Sequence, residues 1–232
     1  MFLLLIIDAN YTEIVIMDSS LYDARWSGPI TCQLSGQSGA GKTQWMKRFL
    51  TFHKQLIKPA FTRKIWCYSE WQKGYDDMTD VEFIKGINPD IVSRENLGEN
   101  QHVALVIDDL SDVIDERFLA ALFSKISHHR GVSCFFLINS IFLTSMKNHR
   151  FVSQNTHVLV LFRAPRDYCS VSTLLRQMFG SKSYKYALEA YEDATKQNFG
   201  YLVISAKSDT PRKLKLRTAI FPGEPNYVYV IP

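Results

Sequence analysis

Apolar positions divide the chain into short buried runs separated by amphipathic stretches. Pro29–Leu34, Lys64–Tyr68, Val103–Ile107, Val132–Ile138 and His157–Phe162 are almost unbroken apolar runs, the pattern of strands covered on both faces. Between them apolar residues recur at helical spacing. Trp45, Met46, Phe49, Leu50, Leu56 and Ile57 mark one helix, carried on to Lys58-Pro59, where the proline stops it. Val113, Ile114, Phe118, Leu119, Leu122, Phe123 and Ile126 mark a second. Asp112, Asp115 and Glu116 lie in its first turns, and His128-His129-Arg130-Gly131 closes it with cations and a glycine at the negative pole. Two adjacent histidines do not share a helix face, so capping fits them better than metal binding. Ser170–Phe179 and Ser183–Lys196 read as two more helices. Tyr201–Ile204 and Leu214–Thr218 read as a C-terminal β-hairpin. Residues 73–100 are polar, punctuated by Gly74, Gly86, Pro89 and Gly98, with Val81–Ile84 their one apolar patch. Buried strands joined by helical crossovers predict an α/β fold with a mostly parallel central sheet flanked by helices.

Composition narrows this only modestly. The 232 residues are 46% hydrophobic and 22% charged, as in an ordinary globular protein, and the net charge of +4 permits a polyanionic partner without requiring one. Cys32, Cys67, Cys134 and Cys169 show no C-x-x-C spacing, and three of them lie in apolar runs. That argues against a disulfide framework or a zinc site and for a reducing, intracellular compartment. Met1–Ile7 is apolar but Asp8 ends it far short of a membrane span, and no basic leader precedes it. With Ile14–Met17 it forms an edge hairpin or a poorly ordered extension. The division expected is an extension over 1–27, one domain over 28–224 and a tail over 225–232.

Chemistry enters at the end of the first core strand. Gly36-Gln37-Ser38-Gly39-Ala40-Gly41-Lys42-Thr43 satisfies G-x-x-x-x-G-K-[ST] between a strand and a helix. Such a loop turns backbone N–H groups inward around a polyphosphate and sets the positive end of the helix against it. In this pattern Lys42 reaches the β- and γ-phosphates of ATP and the Thr43 hydroxyl ligates Mg²⁺. Val103–Ile107 then runs into Asp108-Asp109, the Walker B pattern, with Asp108 on the metal side. Asp109 either orients or deprotonates the attacking water or caps the following helix. Val132–Ile138 ends in Asn139-Ser140, polar groups where a γ-phosphate sensor would sit. A further strand after Walker B that carries a polar tip suits the additional-strand class of P-loop NTPases.

In these motifs the chain resembles the viral genome-packaging ATPases of the FtsK–HerA superfamily, of the poxvirus type also carried by Polinton/Maverick elements. The resemblance spans about Gly28 to Glu224. It rests on the P-loop, Ile65-Trp66-Cys67-Tyr68-Ser69-Glu70-Trp71-Gln72, Leu105–Leu110, Leu122–Arg130, Leu161–Asp167, Tyr191–Thr195 and Leu216–Glu224. It implies ATP hydrolysis coupled to movement of double-stranded DNA into a capsid by a homo-oligomeric ring, with a capsid or portal-vertex protein as a further partner, no membrane, and a nuclear or virion-associated setting. It further implies an arginine given in trans to the neighbouring site, with Arg166 first and Arg163 and Arg176 next. Glu70 falls where relatives place a polar group that restrains the Walker B acid. Relatives usually show Gln-Asn where this chain has Asn139-Ser140, one methylene shorter in reach. The alternative is therefore a nucleotide-binding P-loop protein that has lost motor activity and serves as a scaffold or switch. For DNA, two basic groups stand out: Lys147, Asn148, His149 and Arg150 after the sensor strand, and Lys207, Arg212, Lys213, Lys215 and Arg217 near the end. The alternation of the latter with Leu214 and Leu216 gives either one basic face or a charged edge strand.

Overall fold

A computed structural model describes residues 4–8, 14–17, 23–142 and 146–231. In chain order the strands are β1 (Leu4–Asp8), β2 (Ile14–Met17), β3 (Trp26–Ser27), β4 (Thr31–Ser35), β5 (Ile57–Lys58), β6 (Arg63–Tyr68), β7 (Glu82–Lys85), β8 (Val103–Asp108), β9 (Val132–Ile138), β10 (Val158–Phe162), β11 (Tyr201–Ser205), β12 (Leu216–Thr218) and β13 (Tyr227–Val230). All but β3 and β5 join one sheet in the order β2-β1-β13-β12-β11-β10-β4-β9-β8-β6-β7. From β10 to β7 every pair is parallel, so six strands deliver their C-terminal ends to the same side of the domain. The P-loop strand β4 and the Walker B strand β8 are separated by β9, the additional-strand arrangement.

Helices cover both faces. On one, α1 (Lys42–Thr51) lays Trp45, Met46, Phe49 and Leu50 against Ile30, Cys32 and Leu34 of the P-loop strand and its approach, and against Val106 of β8. Aromatic side chains knit this layer: the Trp45 ring stacks on Phe49 at 5.3 Å and meets Phe221 edge-on at 5.5 Å. On the other face, α2 (Glu116–Ala121), continued by a π-turn over Leu122–Ile126, sits with Leu119, Leu122 and Phe123 on Leu105, Ile107, Cys134 and Phe136. There α3 (Tyr168–Ala194) buries Leu174, Leu175, Ala187 and Ala190 against Leu159, Leu161, Leu202 and Ile204. The alternation along β8 and β10 thus sends successive side chains to opposite cores, which is why both strands read as unbroken apolar runs.

The elements differ from the sequence expectation in five places. Helix α1 ends at Thr51, and after a short turn of helix (His53–Leu56) Ile57–Lys58 is extended and pairs with Trp26–Ser27. Pro59 thus follows a strand rather than a helix. Val81–Ile84, read as a patch in a loop, contributes most of the parallel edge strand β7; four residues with little burial carry almost no periodic signal. Val113 is 71% exposed and precedes α2, whose N-cap is Asp115, accepting from the Phe118 N–H at 2.8 Å. The two helices expected after Ser170 are both present, but they abut at Gly180, which takes φ 71°, with no linker between them. Finally, Tyr227–Val230, within the stretch read as a tail, is a strand: β13 pairs antiparallel with β12 and parallel with β1, and β1 pairs antiparallel with β2. The C-terminal pair β11–β12 is antiparallel as read.

Candidate functional site: a P-loop nucleotide pocket

The site gathers at the C-terminal ends of the parallel strands. Leaving β4, the chain turns at Gly36, whose N–H donates to Ile138 O at 3.2 Å. A Cβ at Gly36 would lie 2.6 Å from Phe162 Cβ, so only glycine lets the loop pass this close to β10. Gly39 and Gly41 take φ values of 78° and 105°, the left-handed conformations that turn the intervening N–H groups inward, and Gly41 is the N-cap of α1. Lys42 is then carried inward on the first turn. Its Nζ donates to Gly36 O at 2.5 Å, Gln37 O at 3.2 Å and Asn139 Oδ1 at 2.9 Å. Burial holds the ammonium pKa below its ordinary value, opposed by the nearby Asp108 and Asp109 carboxylates. An anionic phosphate would relieve that cost.

Beside it, Asp108 at the end of β8 is buried, and its Oδ2 accepts from Thr43 Oγ1 at 3.3 Å and from Tyr75 Oη at 2.9 Å. Burial raises the Asp108 pKa, while the Tyr75 and Thr43 hydrogen bonds and the Lys42 charge pull it down. The donor set of a hydroxyl and a carboxylate is the hard-oxygen pair that suits Mg²⁺, which keeps several waters and takes few protein ligands. Thr43 and Asp108 would hold it, and it would neutralise charge developing on the transferred phosphate. Asp109 is exposed at the strand tip with φ 54°. Asp115, not Asp109, caps α2, and the Asp109 charge acts on Lys42.

Glu70 does not reach Asp108. Beyond Tyr68 the chain bends toward the outer strand, leaving the Glu70 side chain 84% exposed and paired with Lys85 at 3.3 Å. The group that restrains the acid is Tyr75, which sequence reasoning missed. Its ring is buried among Trp66 (5.3 Å), Trp71 (5.4 Å) and Phe83 (4.8 Å, stacked), and Lys47 of α1 donates to Gly74 O beside it. Desolvation, reinforced by the Asp108 carboxylate, raises the phenol pKa, so it stays a donor. The density of aromatic residues in the Trp66–Phe83 stretch was the signal available, and the Trp66/Tyr68/Trp71 segment that carries much of the family resemblance forms this wall.

On the other flank, Pro165–Asp167 makes a tight turn after β10. Arg163 and Arg166 are exposed there, and neither makes a hydrogen bond or ion pair among the described residues. Arg176 is instead engaged with its own chain, its guanidinium 4.5 Å from the Tyr184 ring centre. Asp167 Oδ2 accepts from Ser140 Oγ at 2.8 Å and Ile141 N–H at 3.2 Å, tying this turn to the tip of β9. The proposed basic face near the end does not form: Arg217 is buried and donates to Ala24 O at 2.7 Å, while Lys207 donates to Ser27 O. Only Arg212 and Lys213 of that group are fully exposed. Lys147 and Arg150 are also exposed, where the chain enters a short helix.

No family model matches the chain, and no curated protein does. Solved structures do. The genome packaging NTPase B204 from Sulfolobus turreted icosahedral virus 2 superposes at a TM-score of 0.50 in its sulfate complex (11% identity, 78% of this chain and 93% of that one). Its ATP-gammaS complex also gives 0.50, at 14% identity over 78% of this chain and 94% of that one. The cytoplasmic domain of the Type VII secretion ATPase EccC from Thermomonospora curvata gives 0.50 at 11% identity, over 78% of this chain and 24% of that one. The chain has the fold of these P-loop NTPases. Within that fold, Lys42 meets Asn139, Thr43 meets Asp108, the Asp109 charge acts on Lys42, Arg166 is exposed in the turn after β10, and Glu70 lies apart. Among the described residues no helix is long and apolar enough to cross a membrane.

Proposed function

We propose that the chain is a Mg²⁺-dependent ATPase acting as a ring-forming motor subunit that translocates double-stranded DNA into a viral capsid. The observation that carries the ATPase part is the bridge made by Lys42 Nζ between the P-loop carbonyls and Asn139, beside an Asp108–Thr43 pair. That arrangement sets a cation, an amide and a metal-side carboxylate side by side at the loop. In this reading Lys42 and the P-loop amides bind the triphosphate, Thr43 and Asp108 hold Mg²⁺, Asp109 directs the water and Asn139 senses the γ-phosphate. Arg166, unpaired among the described residues and at the same end of the sheet, is the group offered to a neighbour's site. The likeness to B204, a genome packaging NTPase that covers nearly its whole length, supports the motor part; Lys147 and Arg150 are the available phosphate contacts.

Steady-state hydrolysis with and without duplex DNA tests this. The motor reading expects hydrolysis to rise with DNA, to vanish in Lys42→Ala and Asp109→Asn, and to accompany a larger assembly by light scattering with a non-hydrolysable ATP analogue. Nucleotide binding without turnover, with or without DNA, would overturn it in favour of a scaffold or switch.

A further inference from the structure

Phe199 has no part in the site so far. It is the most exposed aromatic side chain among the described residues, at 68%, and it sits at φ 62° in the turn between α3 and β11. A non-glycine residue in that conformation is held by its surroundings. Here Gly200 N–H donates to Gln197 O, and a Cβ on Gly200 would be 2.4 Å from Ala194 O, so the turn is clamped onto the end of α3. The clamped ring is not packed into a core. It stands over the P-loop, its Cδ1, Cβ and Cγ atoms 3.1 to 3.6 Å from where a Gly41 Cβ would be. An apolar ring left two-thirds exposed at a strained backbone position contributes little burial to the chain itself.

The sheet order says what would cover it. The groups assigned to the γ-phosphate end, Asn139, Asp108 and Asp109, follow β9 and β8, on one side of the P-loop strand. A nucleotide lying along the loop therefore directs its nucleoside to the other side, where β10 and β11 lie. Phe199 precedes β11. Past the end of β10 opens a cavity of about 470 Å³ bordered by Arg163, Tyr168, Glu192 and Lys196. Lys196 belongs to the same turn as Phe199.

We infer that Phe199 is the stacking platform for the base of the bound nucleotide, with the cavity past β10 giving the base and ribose room. The assignment rests on the nucleotide reading above and adds the element that distinguishes a nucleoside triphosphate from bare polyphosphate. An aromatic face reads no base edge, so purine triphosphates bind with similar affinity.

Competition binding on the full chain decides it, with ATP and inorganic tripolyphosphate each titrated against a fluorescent ATP analogue. Phe199→Ala should weaken ATP about 5- to 150-fold, the range of losing one base–aromatic stack, leaving tripolyphosphate within about twofold of wild type. Phe199→Tyr should restore ATP affinity. Unchanged ATP affinity in Phe199→Ala, or equal losses for both ligands, would overturn the assignment. A wild-type chain that binds neither ligand would overturn the nucleotide reading itself, and this assignment with it. Tripolyphosphate binding with no preference for ATP would remove the platform alone.

Discussion

Replacing Tyr75 by Phe removes one oxygen and leaves the ring among Trp66, Trp71 and Phe83. What is lost is the 2.9 Å hydrogen bond to Asp108 Oδ2. That bond favours the ionised carboxylate, since burial alone drives Asp108 toward protonation and Tyr75 is the first group that opposes it. A hydrogen bond to a charged acceptor contributes about 1.5–3 kcal/mol, so the half-saturating Mg²⁺ concentration for hydrolysis should rise about 10- to 150-fold near neutral pH. The sign with pH follows. Without the donor the Asp108 pKa moves up further, the acid limb of the rate profile moves to higher pH, and the Mg²⁺ defect shrinks as pH is raised. ATPase rates over a grid of Mg²⁺ concentration and pH, with thermal unfolding as a control, measure this. A variant whose rate falls by one factor at every Mg²⁺ concentration and pH would refute the reasoning, because a general packing defect has no reason to track the ionisation of one acid.

Two further outcomes are expected. Asn139→Ala removes the amide that accepts from Lys42 Nζ; ATP affinity should stay within about threefold while single-turnover hydrolysis falls about 100- to 1,000-fold, the scale of one transition-state hydrogen-bonding group. The second concerns acid stability. His53 Nδ1 accepts from the Phe61 N–H at 3.1 Å and the ring stacks on Phe61, and desolvation with Lys64 and Lys54 lowers its pKa from 6.5 to about 4, opposed by Asp80. The unfolded chain binds the proton first, so stability is full above pH 6.5, is lost as pH falls toward 4, and drops by at most roughly 3 kcal/mol from this group. Urea unfolding between pH 7 and 4 should show that slope, and His53→Gln should flatten it.

The parallel core was legible because β4, β8, β9 and β10 are buried on both faces and β6 nearly so, and such strands announce themselves as apolar runs. The P-loop and Asp108 were legible for a different reason: their chemistry dictates residue type at fixed spacing. Strands β7 and β13 were not, being four residues each and near the flanks of the sheet, where pairing rather than pattern defines them. Glu70 and Tyr75 show the limit for the site. Both follow β6, and sequence position alone could not tell which way the chain bends after Tyr68; the carboxylate went out to Lys85 and the phenol, five residues on, folded back. Arg217 failed as a basic-face residue because strand alternation does not reveal that Ala24 and Trp26 cover it.

The pair of hydrogen bonds from Ser140 and Ile141 to Asp167 joins two loops that would otherwise move separately. One begins with Asn139, which touches Lys42 in this chain's own pocket; the other carries Arg166, which faces outward. Asp167 is the point at which the two are attached. A displacement of Asn139 that carried Ser140 with it would pull on the turn that holds Arg166. In a closed ring, the occupancy of one pocket would be written directly into the position of the arginine presented to the next.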